Sequence, residues 1–224
     1  MTTEKILGDA IVDRLGKAKL DLRAKAAAKT FQAQHKAYAT LFDAAVAKDA
    51  ARSAALEAIG EIDTRLDAQI SRLGDRLAGA GLSKRSAPFA KFSKYSPSDL
   101  SALAYAKQLA ETTKLTKAVR KAKPTRDVIA VLDVIDREAT ALAKALPTYD
   151  AAQKAFEKAA AGRDALLPDW QKALTRLRVM AKASLFDEPG AYDALFARPD
   201  SIAIARKPRK KAQPPPQRPV NELN

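Results

Sequence analysis

The chain has 224 residues, with 40 Lys and Arg against 26 Asp and Glu and a formal net charge of +14. It has no cysteine, which excludes a disulfide framework, a thiolate metal site and a cysteine nucleophile. The 49 alanines outnumber Leu, Ile, Val and Phe together, which come to 48; this is the composition of long helices around a thin core of small side chains.

The first residues, MTTEKILGDAIVDRLG, carry charges within their first turns and do not read as a secretory signal. No run approaches the roughly 18 apolar residues of a membrane span, so the expectation is a cytoplasmic protein. From Glu4 to about Leu77 the pattern is helical almost throughout. Leu56, Ile59, Ile62, Leu66, Ile70, Leu73 and Leu77 line one helix face, with Glu61 and Arg65 spaced to pair on the other. One helix over this whole stretch would be about 110 Å long. A fold-back is therefore expected at Val46–Arg52, with Asp49 as the new N-cap. Gly74, Gly79 and Gly81 mark the fraying end.

The loop SKRSAPFAKFSKYS (Ser83–Ser96) interleaves Lys84, Arg85, Lys91 and Lys94 with Phe89, Phe92 and Tyr95. Basic residues among aromatics are suited to holding phosphates and stacking bases. The same aromatics also suit a plug for the end of a bundle. Ser96, Pro97 and Asp99 form a helix start: a cap, a proline at the first position and a carboxylate at the third. That helix is expected to run over 97–122 and stop before Pro124. The cluster Lys114–Arg126, which spans the end of that helix, holds six positive charges and no acid; Lys114, Lys117 and Lys121 share a face beside Arg120. Compensation of a helix C-terminus is one reading of this charge, and a polyanion contact is the other.

Thr125 is placed to cap the next helix, with Asp127 in its first turn. VIAVLDVID is rich in β-branched residues, but no partner strand exists for it, and it reads as helix with Val128, Val131 or Leu132, Ile135, Leu142 and Leu146 buried. Pro147 should kink or end it. Gly162, Asp164 and Pro168 then suggest a second stop and start, followed by a helix over about 168–184 with Trp170, Leu174, Leu177 and Ala181 on one stripe. At an offset of 115, Leu41–Arg52 and Phe156–Leu167 share several residues, which raises a duplication of two helical hairpins. The fold expected is all-α: an antiparallel bundle of about five Ala-rich helices over 1–205, with possible halves 1–95 and 125–200 joined by the helix at 97–122.

His35 lies on one helix face with Phe31, Tyr38 and Phe42. A general base in an aromatic pocket is one reading, and an interfacial, hydrogen-bonded side chain is the other. With no second histidine, no Glu-x-x-His motif and no glycine-rich phosphate loop, no catalytic, cofactor or metal residue is assigned and an enzyme is not expected. From Arg206 the apolar periodicity ceases, and RKPRKKAQPPPQRPV is expected to be a disordered tail. Arg206, Lys207, Arg209, Lys210 and Lys211 make it a candidate polyanion hook; Pro216 and Pro219 make a minimal PxxP; a plain solubilising tail is the third reading. The leading functional expectation is non-specific contact with a polyanion, nucleic acid above all. The alternative is an adaptor that binds another protein through a bundle face or the proline-rich tail.

Overall fold

The computed structural model describes residues 3–199, of which 81% are helical. Six helices follow in order: α1 Thr3–Leu15, α2 Leu22–Gly79, α3 Pro97–Ser101, α4 Tyr105–Lys121, α5 Arg126–Ser184 and α6 Pro189–Phe196. No strand occurs among the described residues, so the all-α expectation holds. The tail from Arg206, with its five candidate ligands, lies outside them.

The chain divides into two compact units. A terminal unit contains residues 3–42 and 162–199 of the described chain; a central unit contains 43–161. This division differs from sequential halves at 1–95 and 125–200, because α2 and α5 each contribute to both units. Each unit has its own core. Between them in sequence the large buried side chains run out: on α2 from Phe42 to Ile59 only Ala45 is buried, and on α5 nothing is buried from Leu142 to Trp170.

In the terminal unit, α1 packs Ile11 and Leu15 against Ala24, Ala27, Ala28 and Phe31 of α2 and Trp170, Leu174, Leu177 and Ala181 of α5, with Leu195 of α6 completing the core. Fully burying side chains of this size contributes about 1.5–3 kcal/mol each. Ala24 and Ala27 let helices approach closely where a larger residue would hold them apart. The turn before α2 was not anticipated. Asp21 caps α2 by accepting from the Ala24 amide at 2.7 Å, and its own amide donates to Ser184 Oγ at 2.7 Å. The signal was present in Gly16 and Asp21.

In the central unit, the stripe from Ile59 through Leu66, Ile70, Leu73 and Leu77 is buried as expected, and Leu56 is 46% exposed instead. It meets Leu115 and Val119 of α4 and Val128, Val131, Leu132, Ile135 and Leu142 of α5. Arg65 pairs across to Glu138 at 3.1 Å, not back to Glu61. Asp21–Ser184 with His35–Trp170 in the terminal unit, and Arg65–Glu138 with the hollow that Arg76 and Asp127 line together in the central unit, show α2 and α5 antiparallel within each.

Three expected helix breaks are absent. At Val46–Arg52 alanine sustains the helix, and Asp49 binds forward to Arg52 at 2.7 Å within α2 without capping anything. Pro147 and Pro168 both sit inside α5. Each is exposed, as are Ala143 and Asp164, whose carbonyls lose a donor to the prolines, so water can supply it. The paired segments of the suggested duplication are therefore mid-helix, and no second hairpin turn corresponds to them.

One break was missed. The helix expected over 97–122 is two, with Ala102 ending α3 and Ala104 turned to φ −57°, ψ 140°. Gln108 Nε2, past the break, donates to Asp67 Oδ1 at 2.9 Å, and Ser101, before it, also acts on that carboxyl. Seven residues of straight helix span about 10 Å along the axis, and the turn between them brings both toward one carboxylate.

Candidate polyanion-binding surface

The loop between α2 and α3 is held at both ends by local chemistry. Gly81 lies in the left-handed region at φ +70°, Leu82 N donates to Leu77 O at 3.0 Å and Gly81 N to Ala78 O at 3.1 Å. This is a Schellman termination, and it turns the chain off α2. At the other end Ser96 caps α3 as expected: its Oγ accepts from the Asp99 amide at 3.1 Å, and its amide donates to Asp99 Oδ2 at 3.3 Å. Between them Phe89 is 1% exposed, and Phe92 packs against the same core. Gly74 makes room for this loop: a Cβ there would stand 3.3 Å from the Pro88 ring. Phe89 therefore serves as the plug, sealed from any base. Phe92 is part of the same seal.

Tyr95 differs. It is partly buried, and Lys94 Nζ and Lys107 Nζ lie 5.1 and 5.8 Å from its ring centroid. Glu111 sits one turn beyond Lys107, is held by Lys114 Nζ at 2.7 Å and feels the charges of Lys94 and Lys107. The hydrogen bond from Lys114, ahead of those charges, keeps its carboxyl below the ordinary range, and the same bond raises Lys114. Three lysines thus surround one carboxylate and one phenol ring. Lys107 was not among the residues expected here, although its spacing of seven from Lys114 and again from Lys121 puts all three along one line of α4.

The other candidates separate. Lys117 and Lys121 are exposed on α4, and Lys84, Arg85 and Lys91 are exposed along the loop. Arg120 is drawn to α5, where Asp133 and Asp136 accept from it at 2.8 and 2.7 Å. These two hydrogen bonds raise its already high pKa, and they neutralise its charge locally. Residues 84–123 hold ten basic and two acidic side chains, and all ten basic ones are exposed. Past α4, Lys123 takes φ 51° and Pro124 follows, as the stop expected there requires.

His35 is an internal polar joint. It is 4% exposed, stacks on Phe31 at 5.8 Å, and its Nδ1 accepts from Trp170 Nε1 at 3.1 Å. That bond puts the ring proton on Nε2, which donates to Asp9 Oδ1 at 2.8 Å. Both ring nitrogens are committed to structure. Among the described residues no three His, Cys, Asp or Glu side chains gather as a metal site, and no helix is long and apolar enough to cross a membrane.

Fold and surface together define an Ala-rich, all-α protein of two helical units, one of which carries an exposed, strongly basic segment at 84–123. No family model, curated protein or solved structure matches the chain.

Proposed function

We propose that this is a non-enzymatic protein that binds nucleic acid through its phosphate backbone, without reading sequence. The observation that carries this reading is the convergence of Lys94, Lys107 and Lys114 around Tyr95, with Glu111 the single carboxylate among them. Exposed lysines, Lys94 on the loop and Lys107 and Lys114 on α4, supply charge without the fixed forks that read base edges. Tyr95 lies beneath two ammonium groups, which supports a backbone contact over base stacking. The tail residues Arg206, Lys207, Arg209, Lys210 and Lys211 would add a second contact of the same kind.

Titration of duplex DNA at several salt concentrations tests the reading. Replacing Lys94, Lys107 and Lys114 by Gln should reduce the slope of log K against log salt by up to about 0.9 per lost contact, equally on unrelated sequences. No retention of DNA at ~50 mM salt would defeat it. An adaptor role is the second reading, favoured by Leu22 and Phe186, which are 85% and 81% exposed at the end of the terminal unit where Asp21 meets Ser184.

A further inference from the structure

Asp63 and Asp67 stand one turn apart on α2, both partly buried. Across from Asp67, Gln108 of α4, fully buried, donates Nε2 to Asp67 Oδ1 at 2.9 Å. Thr112 lies one turn further along the same buried face of α4 and is also fully buried. Three buried oxygens of this group have no hydrogen-bond partner: Asp63 Oδ1, Gln108 Oε1 and Thr112 Oγ1. Thr112 can offer one hydrogen, which leaves more acceptors than donors. Burial raises the Asp67 carboxyl, hydrogen bonds from Ser101 and Gln108 oppose that, and the Asp63 charge adds to it, for a net upward shift. No basic side chain offsets these two charges at Asp67, in a chain where bases outnumber acids 40 to 26. An unpaired buried acceptor is destabilising, and a carboxylate more so.

We infer that Asp63, Asp67, Gln108 and Thr112 form a binding site for a hard divalent cation, Ca²⁺ or Mg²⁺, between α2 and α4. Two carboxylates, an amide oxygen and a hydroxyl are the oxygen donors such ions take, with water filling the remaining positions. The partial exposure of both aspartates leaves a route for entry. An irregular donor set carried on two helices suits Ca²⁺ better than Mg²⁺, which demands near-octahedral geometry. The site is independent of the phosphate-binding surface and uses none of its residues.

The test is calorimetric titration of the full chain, stripped with EDTA and free of nucleic acid, with CaCl₂ and separately MgCl₂ at ~0.15 M NaCl. One saturable cation per chain is expected, with Ca²⁺ the tighter. Asp63→Asn with Asp67→Asn should lower the affinity at least about tenfold, and so should Gln108→Leu, while the exposed control Asp75→Asn leaves it unchanged. Circular dichroism confirms that the variants remain helical. Should they unfold, hydrogen exchange on the wild-type chain decides instead: amides of α4 should slow on addition of CaCl₂ and not of NaCl. The inference is overturned by no saturable uptake, by uptake the same in all variants, or by exchange that CaCl₂ does not slow.

Discussion

Gly8 of α1 lies directly against the His35 ring of α2, so close that a Cβ at position 8 would overlap the imidazole. His35 cannot yield, because Trp170 and Asp9 hold its two nitrogens and Phe31 covers its face. The seat for α1 is therefore defined by the smallest residue meeting a fixed ring. Gly8→Ala should destabilise the protein by about 1–3 kcal/mol through overpacking. In Gly8→Ala with His35→Ala the two costs should fail to add, because the second change removes the obstacle. Urea unfolding of the four proteins measures this.

Trp170 is the single tryptophan, and it reports on the terminal unit. Trp170→Phe should keep most of the apolar burial but leave His35 Nδ1 without its donor, at about 1–3 kcal/mol. His35→Leu should change the Trp170 emission, since the indole N–H then loses its acceptor. An emission spectrum identical to wild type would contradict the Trp170–His35 bond.

The Asp9 carboxyl is partly buried, which pushes its pKa up; hydrogen bonds from His35 and Lys5, with the charge of Lys5, outweigh this and hold it below the ordinary value. Its folded pKa is thus lower than its unfolded one. The resulting stabilisation is fully present above the unfolded value of about 3.9 and is lost as pH falls through the folded value. Melting temperature should fall more steeply below about pH 4 in the wild type than in Asp9→Asn.

Arg120 separates charge used for structure from charge free for binding. Arg120→Ala should lower stability, because Asp133 and Asp136 are left facing each other without their shared cation. It should change the salt slope of DNA binding less than the Lys117→Gln and Lys121→Gln pair does. Parallel thermal melts and salt titrations measure the contrast.

At Gly81 the backbone is left-handed, and alanine there should cost about 1 kcal/mol. Loss of this turn should loosen the 82–96 loop before the rest of the central unit, seen as faster exchange at Leu82 than at Leu132. Phe89→Ala should cost about 3–5 kcal/mol, as a core truncation does.

Most of what the sequence alone determined was local, although the Asp21 cap, also local, was missed. Stripes on α2 and α5, the Ser96–Pro97–Asp99 start and the stop before Pro124 depend on side chains within a turn of one another, and they appear in the structure except at Leu56, which is exposed, and Ile62 and Leu146, which are partly buried. Helix continuity was decided otherwise. Pro147 and Pro168 break a helix in isolation, yet both are accommodated on exposed faces of α5, and exposure is a tertiary property. The break after Ser101 brings Gln108 to Asp67, 41 positions earlier, and the His35 site rests on Asp9 and Trp170, at separations of 26 and 135. Likewise the basic surface was legible as charge density, but composition could not say that Phe89 is sealed, that Arg120 is neutralised, or that Lys107 joins Lys94 at Tyr95. Those outcomes follow from which helix face meets which. In so alanine-rich a chain many faces are similar, and long-range packing of a few large side chains selects among them.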